Sequence, residues 1–193
     1  MRIAERDIFL KDGTKCRLRS PEEEDAGAAL AFLDDVSRSP FLLAEPWERR
    51  DTVENERKFI RAFLLDEGGA MIGAFAEDGA LAGLASVRRV RDSAKLRHRA
   101  ELGVSVAEGM RRRGLGFLLM RAAEDWAKKA GFEQLELSVF AANFAARALY
   151  GKCGFEIWGR EKARLPPLFG RLRRRNSDGQ ISDKIREMNR AGI

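Results

Sequence analysis

Seven residues near the middle of the chain, Arg111-Arg112-Arg113-Gly114-Leu115-Gly116-Phe117, have the types and spacing of an anion-binding turn. A strand-like run, Leu102-Gly103-Val104-Ser105-Val106, precedes them, and an amphipathic helix pattern begins at the glycines. The first-turn N–H groups of a helix have no intrahelical partner. Strand, glycine turn and helix start therefore present a row of donors to a phosphate. Three arginines beside a helix N-terminus oppose its dipole, each at roughly 0.3–1 kcal/mol, and a bound polyanion reverses that penalty. A plain glycine turn with solvated arginines would give the same pattern over this segment alone.

Two familiar phosphate loops do not fit. A P-loop continues Gly-Lys-Ser/Thr, whereas Gly116 is followed by Phe117-Leu118; a dinucleotide fingerprint needs a third glycine where Leu119 stands. A second motif lies downstream of the next strand: Asn143-Phe-Ala-Ala146-Arg-Ala-Leu149-Tyr150-Gly-Lys152-Cys-Gly154-Phe155. With both in place, the sequence resembles the GNAT superfamily of acetyl-CoA-dependent N-acetyltransferases over about residues 17–159. The family's Gln/Arg-x-x-Gly-x-Gly/Ala pattern is matched by Arg111, Gly114 and Gly116. Its Asn-x-x-Ala-x-x-Leu-Tyr-x-Lys-x-Gly-Phe pattern is matched at every specified position.

The resemblance implies an α/β fold, with a central mixed, mostly antiparallel sheet that splays between two strands and is flanked by helices. It implies acetyl-CoA as cosubstrate and no metal. The backbone of Val104 to Val106 would hold the pantetheine arm. The N–H groups of Arg111, Arg112, Arg113, Gly114, Leu115, Gly116 and Phe117 would cradle the pyrophosphate. Glycine at 114 and 116 lets the phosphates reach the backbone. Asn143 would contact the cofactor or simply cap its helix. Tyr150 would protonate the leaving thiolate, a phenol near 10 and a thiol near 8.5 being close enough for the transfer. Glu101 is the expected general base, acting through water, with a surface carboxylate as the plain alternative. His98, flanked by Arg97 and Arg99, reads as exposed, and Cys153 as helix packing.

The acceptor implied is a primary amine: an amino acid, a small amine or a protein N-terminus. This is the style of the bacterial branch that resembles ribosomal-protein and amino-acid N-acetyltransferases. An α-amine, pKa about 8, is roughly a tenth neutral at pH 7, whereas a lysine amine is neutral about once in 2,500, so an uncertain base favours α-amines. The Phe41–Trp47 loop and the second helix would wall the acceptor side. A competing reading is a non-catalytic acyl-CoA- or RNA-binding module on the same fold.

The surrounding pattern supplies the elements these residues need. Thr14 to Arg19 reads as a first strand after the Asp12-Gly13 turn, and Ser20-Pro21-Glu22-Glu23 as a helix start capped by Ser20. That helix runs to about Val36; Thr52 caps a second, with Phe59, Ile60, Phe63 and Leu64 on one face. Strands follow at Ala70–Ala76 and Leu81–Val90 around Asp78-Gly79, and at Arg99–Val106. The helix from Gly116 repeats Leu115, Leu118, Leu119, Ala122, Trp126 and Ala130, and Gly131 stops it. Leu135, Leu137 and Val139 mark the next strand, and a helix starts near Asn143. Phe155–Trp158 opens another strand, and Ile181–Met188 is expected to hold the last.

At 193 residues and 45% hydrophobic, the chain reads as one globular domain, residues 1–193, with a basic tail from 160 to 193. No apolar run approaches the roughly 20 residues of a membrane-spanning helix. The first residues, Met1 to Asp7, carry acids and lack an apolar stretch, so no signal peptide is expected from them. Cys16 and Cys153 give no disulfide framework or metal spacing, so the expected setting is the cytoplasm. The net charge of +6 suits acidic ligands. Residues 160–175 hold seven Lys or Arg against Glu161, but no alternating aromatics, which disfavours nucleic acid over a solvated basic segment. A homodimer is compatible with this pattern, as is a monomer.

Overall fold

The computed structural model describes residues 2–42, 52–161 and 169–175. Strand formation begins earlier than the pattern predicts. β1 (Arg6–Phe9) pairs antiparallel with β2 (Lys15–Arg19) across the Asp12-Gly13 turn. β1 is a mostly exposed edge strand with no hydrophobic alternation, so periodicity carries no signal for it.

The first helix also starts differently. Ser20 Oγ accepts the Ile3 N–H at 3.1 Å, so it is not the cap. The capping box is Glu22 with Asp25, opening a 3-10 turn before α1 (Ala26–Ser37). Arg19 holds Asp25 in place, its guanidinium meeting both carboxylate oxygens at 2.6 and 2.8 Å while lying 3.7 Å from the Phe75 ring centre. α2 (Val53–Leu65) begins as predicted, the Thr52 hydroxyl accepting the Asn55 N–H.

β3 (Gly69–Phe75), β4 (Leu81–Arg89) and β5 (Arg99–Val106) form the expected antiparallel meander. β3 is buried throughout because both sheet faces are covered. Its pleat sends Ala70, Ile72 and Ala74 to the core under α3 (Leu115–Lys129), and Met71 and Phe75 to the core under α1 and α2. α3 lays Leu115, Leu119, Met120, Ala123, Trp126 and Ala127 on the sheet. The large side chains among them contribute about 1.5–3 kcal/mol each. Ala130, expected on that face, is the exposed C-cap instead, and Gly131 ends the helix at φ 82°.

β6 (Gln134–Phe140) runs parallel to β5 but pairs with it only from Arg99–Glu101 to Gln134–Glu136. Leu102–Val106 and Leu137–Phe140 are left unpaired with each other. This is the splay that the resemblance implies. α4 (Phe144–Lys152) and β7 (Glu156–Glu161) follow. The last described strand is a correction to the sequence reading. The basic run expected to be solvated supplies β8 (Phe169–Arg175), antiparallel to both β6 and β7, in the order β1-β2-β3-β4-β5-β6-β8-β7. The strand expected at 181–188 lies outside the described residues. Among the described residues, no helix is long and apolar enough to cross a membrane.

Candidate active site

A cleft of about 950 Å³ opens beside the free edge of β5. Val104, Ser105 and Val106 form one wall, and α4 forms another through Asn143, Ala146, Leu149 and Tyr150. The turn between β5 and α3 closes the end of the cleft with Arg111 to Gly114, Gly116 and Phe117. Of the predicted site residues, Leu115 points into the core at 1% exposure, leaving only its backbone for a ligand.

The turn is conformationally unusual. Arg112 has φ 64°, the one positive value at a non-glycine position among the described residues, and Gly114 has φ 91°. Left-handed residues within a few positions turn successive N–H groups to one side, a concave arrangement that suits anions. Gly114 is the N-cap of α3 and offers no side chain to the first-turn amides. The N–H groups of Arg112, Arg113, Gly114, Leu115 and Gly116 have no hydrogen-bond partner among the described residues. The ends of the predicted cradle differ: the Arg111 N–H donates to Glu108 O (3.3 Å) and the Phe117 N–H to Gly114 O (3.1 Å). Phe117 instead presents a ring that is 41% exposed. The Arg111 side chain donates through Nε to Val106 O at 3.1 Å, tying the turn to the end of β5. Gly116 is needed for close approach, since a Cβ there would lie 3.1 Å from Leu149 Cδ2 and 3.7 Å from Val106 Cγ2.

Asn143 caps α4, its Oδ1 accepting the Ala146 N–H at 3.1 Å, and it also lines the cleft. Capping and ligand contact are therefore compatible, because the cap uses only the oxygen. Tyr150 is 6% exposed, and its hydroxyl makes no hydrogen bond to a described residue. Burial, with a smaller push from Cys153, raises this phenol to about 12. It thus stays protonated across the physiological range. Its ring lies 6.2 Å from that of Phe155.

Glu101 does not line this cleft. It is exposed on β5, directly opposite Glu136, at a separate depression of about 160 Å³ bordered by Arg99, Glu136, Leu137 and Ser138. There the Arg99 guanidinium grips Glu136 with both Nε and Nη2, the latter 2.8 Å from Oε2. His98 is half-buried, away from the cleft, and its carbonyl accepts the Glu133 and Gln134 N–H groups. Cys16 and Cys153 are buried and are not joined in a disulfide. Among the described residues, no cluster of His, Cys, Asp or Glu could hold a metal.

On the expected acceptor side, Phe41 and Leu42 line the cleft, while residues 43–51 of that loop lie outside the described residues. The helix contributing there is α1, through Val36, with Ser39 just beyond it, rather than α2. Sequence reasoning missed the β1–β2 turn, which adds Phe9, Leu10 and Lys11. Its only signal was Asp12-Gly13, which marks a turn but not its neighbour.

Residues 30–155 match the model of the acetyltransferase (GNAT) family. An uncharacterized N-acetyltransferase from Bacillus subtilis (strain 168), YobR, is 44% identical over 52 residues, spanning 27% of this chain and 21% of that protein. An acetyltransferase of the GNAT family from Streptococcus pneumoniae superposes with a TM-score of 0.75 at 27% identity, covering 82% of this chain and 97% of the other. A ribosomal-protein-alanine N-acetyltransferase from Brucella melitensis gives 0.72 at 26% identity, over 82% and 99% of the two chains.

Proposed function

Because the chain belongs to the acetyltransferase (GNAT) family, we propose that it transfers the acetyl group of acetyl-CoA to a primary amine by direct attack in a ternary complex. The observation that carries this reading is a convergence in one cleft. An open strand edge, the unpartnered turn amides of Arg112, Arg113, Gly114 and Gly116, and an unpartnered phenol all meet there. The free edge from Leu102 to Val106 receives the pantetheine amides as an added strand. The N–H groups from Arg112 to Gly116 receive the pyrophosphate, and Arg111 holds the turn against β5. Asn143 offers its side-chain N–H₂ while its oxygen caps α4.

In the reaction, the amine lone pair forms a bond to the thioester carbonyl carbon, and the carbon–sulfur bond then breaks. Tyr150 passes its proton to the departing sulfur and is reprotonated from solvent. The proton lost by the acceptor nitrogen leaves through water; Glu101, the base expected from the resemblance, borders a separate depression rather than this cleft. Held at about 12, Tyr150 is in its donating form at any working pH. A free thiol near 8.5 would make full transfer uphill, so the proton moves as charge builds on a sulfur desolvated in the same site.

The acceptor class that fits is an α-amine, of an amino acid or a protein N-terminus. Glu101 stands apart from the cleft, and an α-amine needs the least help to lose its proton at pH 7. The Brucella neighbour is named for alanine N-acetylation of a ribosomal protein. Two buried cysteines that are not joined in a disulfide support a reducing, cytoplasmic setting. The test is thiol release from acetyl-CoA across amino acids, polyamines, aminoglycosides and short peptides with free N-termini. Release with α-amine acceptors is expected; release with none of them, and no binding of acetyl-CoA, overturns the reading.

A further inference from the structure

The β1–β2 hairpin reaches the cleft from outside the family-matched residues 30–155. Its tip is fastened to the phosphate turn at two points: the Lys11 N–H donates to Arg113 O at 3.0 Å, and Asp12 pairs with Arg113 at 3.1 Å. The stem of Lys11 crosses Gly114, where a Cβ would come within 3.2 Å of Lys11 Cγ. Two of the turn's arginines are already engaged, Arg111 by Val106 O and Arg113 by Asp12. Lys11 lines the cleft and, among the described residues, makes no ion pair. Phe9 also lines the cleft and is 66% exposed, a large apolar surface left in water. Phe9 ends β1 and Lys11 stands in the turn that follows, and both line this one cleft, so the ring and the ammonium are open to the same ligand.

We propose that this hairpin is a binding site for the 3′-phosphoadenosine end of coenzyme A, with Phe9 stacking on adenine and Lys11 pairing with the 3′-phosphate. The inference rests on acetyl-CoA being the donor. The pyrophosphate is served by the turn amides, so a cation carried on a separate element beside them answers to a separate phosphate. An aromatic ring next to that cation matches a ligand whose base and phosphate share one ribose. The fastening of the hairpin to Arg113 holds both groups in register with the turn, so little ordering is needed on binding.

Calorimetric titration with coenzyme A and with 3′-dephospho-coenzyme A tests this without reference to turnover. The protein should bind coenzyme A about tenfold more tightly than the dephospho form, as expected for one charge-assisted phosphate contact. In Lys11→Ala that preference should fall to within about twofold, with affinity for the dephospho form unchanged and Lys11→Arg restoring it. Phe9→Ala should weaken both nucleotides several-fold and leave acetylated pantetheine unaffected. Both side chains are exposed, and an unchanged melting temperature checks the fold. Equal loss of both nucleotides in Lys11→Ala, or no loss, overturns the proposal. Equal affinity of the unmodified protein for both forms also overturns it, while leaving the transferase reading intact. Binding of neither form overturns the transferase reading instead.

Discussion

The two edges of β5 are put to opposite uses. Against β4 it pairs continuously, from Arg89–Ala100 to Gly83–Val106. Against β6 it pairs only from Arg99–Gln134 to Glu101–Glu136. The paired edge satisfies its backbone within the protein. The other edge is left unpaired by β6 over Leu102–Val106, with Val106 O engaged by Arg111 Nε, and lines a cleft where water can serve its backbone groups until an extended ligand does. A sheet can thus remain continuous and still hold a ligand-shaped gap, provided the last shared pairs are firmly held. Arg99 and Glu136 supply that hold, with the Gln134 amide adding a bond to Glu136 Oε1 at 3.0 Å.

The largest effect should come from closing the open side. Gly116→Val forces side-chain atoms against Leu149 and Val106, and should weaken acetyl-CoA binding by about a hundredfold, or ~2.7 kcal/mol. Circular dichroism should show the β4–β5 side still folded. Tyr150→Phe leaves both edges intact and removes only the acid. Turnover at saturating acetyl-CoA should fall by about 10²-fold with little change in KM. Full turnover would remove Tyr150 from the mechanism.

The pH profile sharpens the same point. The protonated phenol is the competent form, and its pKa is raised to about 12. Activity should therefore climb as the acceptor amine deprotonates and show no descending limb below about pH 11. A limb near pH 9 would mean that another group is the acid. Next in size is the closed end of the strand pair. Glu136→Ala strands the Arg99 guanidinium in a half-buried position, and chemical denaturation should register a loss of about 2–3 kcal/mol. Smallest is Arg112→Ala: if amides rather than side chains bind the pyrophosphate, acetyl-CoA affinity should drop only a few-fold.

How much of this was legible in the sequence varies with the range of the interaction. The meander, α2 with its Thr52 cap, the stop at Gly131 and the cap at Asn143 follow from periodicity and nearest-neighbour hydrogen bonding, and the sequence reading found each. Ser20 misled because a competing partner, the Ile3 N–H, comes from outside the local window. β1 and β8 were missed because a strand at an edge, or one built of arginines, has no hydrophobic period; its place is decided by what pairs with it. At the site, the turn and Tyr150 were legible as motifs, whereas the separation of Glu101 from the cleft was not. It depends on how β5 and β6 part.

The opposing uses of β5 divide along the same line. By itself, the sequence determined the local chemistry: a glycine turn at 114 and 116, free amides at a helix start and a phenol one helix away. These follow from dihedral sterics and from the unpaired first turn of any helix. Only the tertiary structure decided which backbone edge stays open, that burial lifts Tyr150 to about 12, and that Lys11 crosses Gly114. Each of these is set by groups distant along the chain, through desolvation and steric contact that no local pattern encodes.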